Sequence, residues 1–298
     1  MKIKNVLCLL AMIVLSACMS LTIYAGSLPQ DKNVQSRETE RTKIQVLGSN
    51  VIYLNESYTY TFQYSNKKSY KHKIKWTLSS DKGTVNKNGK VTAKEKGTAI
   101  LTVKDKTLNI KSSMLIHFIN PDDDVDFVTE IKGIKIVNKS YKLPKDYDPG
   151  LDKNALNAFN KLKADAAKEG LTFFILSGYR SYDTQQYTYQ KWVNKFGKEY
   201  ADRCSARPGF SEHQLGLAID VNSCYYDFLE TPEAAWLAKN CHKYGFIIRY
   251  PSQKAEKITG YIYEPWHIRY LGVSEATDVY NSGLTLEEYL GIDSYYRT

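Results

Sequence analysis

The chain is short of residues that do covalent or redox chemistry, with five histidines, five cysteines and four methionines among 298 residues. Cys8 and Cys18 fall in an N-terminal apolar run, so a processed chain keeps Cys204, Cys224 and Cys241. Three thiols close at most one disulfide and leave one over, which excludes a heavily stapled scaffold. A bridge between Cys204 and Cys224 would brace the stretch they flank, but the pairing is open. Ser211-Glu212-His213 has no nucleophile elbow around the serine, and residues two apart need not meet, so a serine triad is excluded. Cys241 and His242 are adjacent in an expected helix and point apart, which removes a cysteine nucleophile. Asp122-Asp123-Asp124 lacks the ligand spacing of an EF-hand, so calcium is not expected there.

Acidic charge is scarce in the first part of the chain. Residues 1–120 hold 19 Lys and Arg against 7 Asp and Glu, a net of +12, whereas residues 121–298 hold 22 against 25, a net of −3. One apolar run, Val6 to Ala25, approaches bilayer length behind the basic tip Met1-Lys2-Ile3-Lys4, the pattern of an export signal over residues 1–26. Leu15-Ser16-Ala17-Cys18 resembles a lipobox that would anchor Cys18 to lipid, while cleavage after Ala25 would release the chain. Both routes predict an exported protein at the cell surface or wall. A basic exported module suits anionic wall polymers or lipid headgroups, and a nucleic-acid partner is not expected there.

What is present is concentrated in two short stretches. Ser211-Glu212-His213-Gln214-Leu215-Gly216-Leu217-Ala218-Ile219-Asp220 and Glu264-Pro265-Trp266-His267 supply two imidazoles, one carboxylate that can bind a metal, and a second that can act as a base. Ala218 and Asp220 alternate with Leu217, Ile219 and Val221, the pattern of a buried strand. Asp220 would share a face with the small Ala218, and Gly216 permits close backbone approach or an unusual dihedral beside His213. Glu264 and His267, three apart, are spaced for a turn to present both to one cavity, with Trp266 shielding it from solvent. A catalytic zinc site takes three N or O ligands and lowers the pKa of water to roughly 7. A carboxylate near the metal but not on it can then accept a proton.

Ser211-x-His213-x-x-Gly216-x-Ala218-x-Asp220 with Glu264-Pro265-Trp266-His267-x-Arg269-Tyr270 resembles the VanY-like D-alanyl-D-alanine carboxypeptidases, zinc peptidases that trim peptidoglycan stem peptides. Leu176-Ser177-Gly178-Tyr179-Arg180-Ser181-Tyr182-x-x-Gln185, Ala206-Arg207-Pro208-Gly209-Phe210 and Tyr244-Gly245-Phe246-Ile247-Ile248-Arg249-Tyr250-Pro251 extend the likeness over residues 126–273. The resemblance implies Zn2+ held by His213, Asp220 and His267, Glu264 as general base and Arg180 as the electrophilic group. It also implies Gln185 and Ser211 in the substrate pocket. A guanidinium suits either an oxyanion or a terminal carboxylate. Capping a turn is the structural alternative for Ser211, and ion pairing is the expected role of Arg207 and Arg269. The implied reaction removes the terminal D-alanine of a stem peptide. An L,D bond in a tetrapeptide, an endopeptidase cut, or a wall-binding protein with a non-catalytic zinc domain are the alternatives.

Residues 27–41 read as a polar tether. From residue 42 to 120, alternating runs such as Thr59-x-Thr61-x-Gln63, Ile74-x-Trp76-x-Leu78 and Ala99-x-Leu101-x-Val103 are separated by turn signals. They predict an all-β antiparallel sandwich, and the segment resembles bacterial immunoglobulin-like (group 2) domains. His72 and His117 are expected to be surface or packing residues. Residues 121–125, a proline and like charges, form an expected linker. Residues 126–298 predict an α+β catalytic domain with helices packed on a small antiparallel sheet. Within it, Asp152 to Glu169 has the apolar spacing of a helix, Leu171 to Leu176 reads as a strand delivering Arg180, and Thr231-Pro232 starts a helix that stops at Gly245.

Overall fold

The structure, a computed structural model, describes residues 42–66 and 72–297. The export signal, Cys18 and the tether lie outside the described residues.

Among the described residues the N-terminal lobe has nine strands: β1 Ile44–Leu47, β2 Val51–Tyr53, β3 Ser57–Thr59, β4 Thr61–Tyr64, β5 Ile74–Leu78, β6 Gly83–Val85, β7 Lys90–Ala93, β8 Gly97–Asp105 and β9 Ile110–Ile119. They form sheets of order β2-β9-β8-β5, β3-β7-β6 and β1-β4. The β2–β9 pair is parallel, so the lobe departs from a purely antiparallel sandwich at that edge. The expected strand through Thr59 and Thr61 is broken at Tyr60, where the chain passes from pairing with β7 to pairing with β1. Tyr60 is buried at that switch, its hydroxyl donating to the Ser49 carbonyl. Alternation drives Trp76, Val91, Ala99, Leu101, Val103, Ile116 and Phe118 into one core. Gly89 ends the Asn86–Gly89 turn at φ +80°, where a Cβ would stand 2.7 Å from the Tyr60 carbonyl oxygen and 2.9 Å from Trp76. His117 is a packing residue, stacked on Phe127 with centroids 3.7 Å apart. His72 also packs, its ring edge-on to Tyr64, and contacts the buried carboxylate of Asp105.

The C-terminal lobe opens with the hairpin β10 Thr129–Ile131 and β11 Ile134–Ile136. Its helices are α1 Lys153–Ala167, α2 Tyr182–Phe196, α3 Lys198–Cys204, α4 Pro232–Asn240, α5 Glu256–Thr259, α6 Val273–Ser282 and α7 Leu286–Leu290. They surround a sheet of order β12-β13-β15-β14. Those strands are β12 Ile175–Ser177, β13 Ala218–Val221, β14 Phe246–Tyr250 and β15 Glu264–Tyr270, and every pairing between them is antiparallel. Asp152 caps α1 by accepting from the Asn154 and Ala155 amides, and Phe159, Leu162 and Ala166 carry its apolar face onto Phe173, Ile219 and Ile268. Only Ile175 and Leu176 of the expected 171–176 strand fall in β12, which runs on to Ser177. Upstream, the Asn222 side chain replaces ladder bonds, accepting from the Phe174 amide and donating to the Thr172 carbonyl.

Residues 121–125 contain no helix or strand, yet the lobes are tied together on either side of them. β2 is buried on both faces. Ile52 points into the sandwich, while Val51 and Tyr53 join Ile131, Ile136, Ile247, Val279 and Leu290 in a core common to both lobes. Asn50 exchanges backbone and side-chain hydrogen bonds with Val128 and Glu130, and the C-terminal Arg297 reaches Glu56 at 2.6 Å. Two lobes sharing an apolar core should unfold together. Calorimetry of residues 42–298 is therefore expected to give one transition, and two well-separated transitions would contradict the common core.

Candidate metal centre and active site

Antiparallel pairing of β13 with β15 sets Asp220 directly opposite His267, so residues 47 positions apart become cross-strand neighbours. His267 Nδ1 lies 2.9 Å from Asp220 Oδ1. His213 arrives from the loop before β13, and its Nε2 lies 3.1 Å from Asp220 Oδ2. That loop depends on Gly216, which has φ +78° and whose Cβ would collide with the Gly150 carbonyl oxygen at 2.2 Å. Both uses expected of this glycine are therefore present. Ser211 Oγ accepts from the His213 amide at 3.2 Å, the turn-capping role.

Glu264 and His267 both begin from β15, not from a turn. Residues three apart on a regular strand face opposite sides. The ladder between β14 and β15 slips between Ile248, paired with Ile268, and Tyr250, paired with Glu264. This irregularity lies around Pro265, which has no amide proton to give the ladder. It brings Glu264 Oε2 to 3.8 Å from His267 Nδ1.

His213, Asp220 and His267 present ligand atoms within 4.8 Å of one another, all buried. The rest of each imidazole is already engaged. His213 Nδ1 donates to the Gly178 carbonyl at 2.7 Å, leaving Nε2 for a metal. His267 turns Nε2 toward Glu212 Oε2 at 3.4 Å, leaving Nδ1. Outer partners of this kind fix the tautomer of a ligating histidine. Two nitrogens and one carboxylate oxygen, converging and held from behind, fit zinc.

Glu212 was not anticipated from the sequence. It is fully enclosed, accepting from Arg249 Nε at 2.7 Å and Arg269 Nη1 at 2.6 Å, and Arg249 continues to Glu287 on α7. Burial opposes its charge, but the two guanidiniums hold it well below the usual carboxylate range. Its position beside a candidate ligand was the available signal, but the two arginines that neutralise it are 37 and 57 residues away. Arg269 is thus structurally paired, as is Arg207, which forks onto Asp202 with both bonds at 2.9 Å.

Arg180 stands at the same centre, with Nη2 3.8 Å from Asp220 Oδ2. It donates to Gln185 Oε1 at 2.8 Å and Ser177 Oγ at 3.0 Å. Gln185 is completely buried and gives its amide protons to Ser205 and Ala206. Its oxygen thus holds Arg180 while its amide nitrogen is tied to α3's far end, and Gln185 also borders the cleft. Burial pushes the Glu264 carboxyl up to about 8, with His267 and Arg180 opposing the rise and Asp220 adding to it. Burial also opposes charge on His267, but its bonds to Asp220 and Glu212 raise it to about 10. His213 is lowered, mainly by burial.

The disulfide pairing left open by the sequence is answered by none: Cys204, Cys224 and Cys241 are all free thiols. Cys204 turns its Sγ back toward the Ala201 carbonyl at the end of α3, whereas Cys224 stands on the loop after β13. Cys241 is packed in the core with its thiol pushed up to about 12 by burial, as suits an inert side chain. The centre opens into a cleft of about 750 Å³, bordered by Ser211, Tyr250, Tyr261 and Trp266.

Three converging residues that could hold a metal, a carboxylate beside them and a guanidinium 3.8 Å from Asp220 match the donor set of a hydrolytic metal centre. The sequence profile described as VanY: D-alanyl-D-alanine carboxypeptidase matches residues 148–273, and the profile of the bacterial Ig-like domain (group 2) matches residues 28–113. YodJ of Bacillus subtilis, which carries a provisional carboxypeptidase name, is 36% identical over 243 residues, covering 71% of this chain and 89% of that protein. A D-alanyl-D-alanine carboxypeptidase of Enterococcus faecium is 41% identical over 141 residues, 47% of this chain and 44% of its own length. The crystal structure of the L,D-carboxypeptidase DacB of Streptococcus pneumoniae is similar with a TM-score of 0.53 and 43% identity, covering 58% of this chain and 97% of that one. The chain belongs to the VanY D-alanyl-D-alanine carboxypeptidase family. It is a metallo-carboxypeptidase acting on peptidoglycan peptides.

Proposed function

We propose that this enzyme is zinc-dependent and removes the terminal D-alanine from peptidoglycan stem peptides, first from the D,D bond of the pentapeptide. The observation that carries the reading is the convergence of His213 Nε2, Asp220 and His267 Nδ1, with Glu264 adjacent and outside the three. In this reading those three residues hold the metal. When bound, zinc polarises a carbonyl oxygen and makes water acidic, with a pKa near roughly 7. Glu264 takes a proton on its carboxylate and returns it to the departing amine of D-alanine. Burial, only partly offset by His267 and Arg180, raises the Glu264 carboxyl to about 8, and a cation held by its neighbours would favour the ionised form that accepts a proton.

Arg180, held at a fixed angle by Gln185 and Ser177, steadies the oxyanion or grips the substrate carboxylate. Arg180→Lys, which abolishes the fork, is expected to lower kcat/KM by about 10²–10³-fold. A loss confined to kcat assigns Arg180 to the oxyanion, and one confined to KM assigns it to the carboxylate. Near-native values of both would remove it from the site.

A second reading, the L,D bond of the tetrapeptide, is favoured by the match to nearly the whole of the pneumococcal L,D-carboxypeptidase chain. Mass spectrometry of muropeptides incubated with the zinc-loaded protein separates the two. Pentapeptide losing one D-alanine supports the D,D reading, tetrapeptide losing it supports the L,D reading, and no cleavage of either contradicts both. The N-terminal signature supports export, and the basic N-terminal lobe suits retention at an anionic wall or membrane surface.

A further inference from the structure

The cleft that reaches the metal centre is flanked farther out by exposed rings with no part in the chemistry above. Trp192 and Phe196 on α2 and Tyr200 on α3 pack on one another, with centroids 5.5 Å apart for Trp192–Phe196 and 4.9 Å for Phe196–Tyr200. Phe196 and Tyr200 nevertheless remain 47% and 41% exposed. Tyr225 and Tyr226, after β13, are 74% and 50% exposed and line the same cleft. Along α2 only Gln185 is buried, so these rings are not there to fill the core. A contiguous apolar surface of this kind marks a binding site more often than chance exposure.

We propose that this rim is a sugar subsite, in which the rings stack on a pyranose of the glycan strand that carries the stem peptide. The inference rests on the stem-peptide reading above. Aromatic faces are electron-rich, and the C–H bonds on the face of a pyranose are weakly positive, so the two attract without any charge on the ligand. Lys195 Nζ now lies 4.8 Å from the Phe196 centroid. It is a flexible donor that a sugar displaces from the ring and that can then reach the sugar's oxygens.

The spacing agrees. Three or four extended residues between the cut bond and the sugar span about 10–14 Å at ~3.3–3.6 Å each. Along α2 the rise from Gln185, which holds Arg180, is about 10 Å to Trp192 and about 16 Å to Phe196 at ~1.5 Å per residue. The displacement of Trp192 and Phe196 along α2 is therefore of the same order as the length of the stem peptide.

The test compares kcat/KM on disaccharide-linked stem peptides and on the same peptides without sugars, for the zinc-loaded wild type, Tyr200→Ala and Phe196→Ala. The wild type is expected to prefer the sugar-linked substrate roughly tenfold, equivalent to about 1.4 kcal/mol. Each variant should lose most of that preference while hydrolysing free peptide at the wild-type rate with an unchanged melting temperature. Equal activity of the wild type on both substrates, or equal losses on both in the variants, would overturn the sugar subsite. Hydrolysis of neither substrate by the wild type would overturn the stem-peptide reading itself, and the subsite with it.

Discussion

Glu264→Gln is expected to lower kcat on stem peptides by about 10²–10⁴-fold, the usual contribution of a positioned general base. Metal binding should survive. Glu264 Oε2 lies 3.8 Å from His267 Nδ1, beside the three ligand residues but not among them, and the amide keeps the shape of the side chain. Without metal the Glu264 carboxyl, raised to about 8, is already mostly neutral at pH 7, so the equally neutral glutamine should leave stability close to that of the parent. Equilibrium dialysis with zinc and steady-state kinetics on the same preparation check both halves. Near-native turnover would take the proton-transfer role away from Glu264, and loss of the metal would make it a ligand.

Glu212→Gln is the second large expectation, and its signature is different. Glu212 is the carboxylate between Arg249 and Arg269 and the oxygen facing His267 Nε2. Removing its charge leaves buried guanidiniums undercompensated, which costs about 3–5 kcal/mol. It also frees the His267 ring to turn, so zinc affinity should fall by about 10–100-fold. Glu287→Gln is the control. Glu287 pairs with Arg249 but touches no ligand, so that variant should lose stability and keep most of its zinc affinity.

The pH dependence has a definite sign. Glu212 is depressed in the folded state, so its contribution is present above the unfolded carboxylate value and is lost as pH falls. Metal-free wild type should therefore destabilise steeply on acidification below about pH 4, with the unfolded glutamate near 4.3. Glu212→Gln should show a shallower acid limb. Urea melts between pH 3 and 7 measure this, and identical acid limbs would contradict a charged Glu212.

The reactive constellation was legible because its chemistry is local in sequence. His213 and Asp220 share one motif and Glu264 and His267 another, and strand alternation predicts that Asp220 faces inward. Their meeting follows from one strand pairing, β13 on β15. What was not legible depends on distant partners or on departures from regular geometry. Nothing in Ser211-Glu212-His213 says that Glu212 will be neutralised by Arg249 and Arg269. Gln185 reads as a polar group near a pocket, and nothing local says that its oxygen will hold Arg180 while its amide nitrogen bonds Ser205 and Ala206. The slip in β15 replaces the expected turn because a proline interrupts a ladder whose pairing cannot be read from one strand. The core common to both lobes was hidden for a similar reason. The three residues of β2 are all apolar or aromatic, and alternation cannot say that its outer face meets another lobe.

The central claim is that one zinc ion, held by His213, Asp220 and His267, is needed for release of D-alanine. Chelator-stripped enzyme titrated with zinc, with D-alanine release followed on the pentapeptide and tetrapeptide, tests it most directly. No activity is expected without metal, and a linear rise should reach its plateau at one equivalent. Undiminished hydrolysis by the stripped protein, or a plateau reached only at two equivalents, would contradict it.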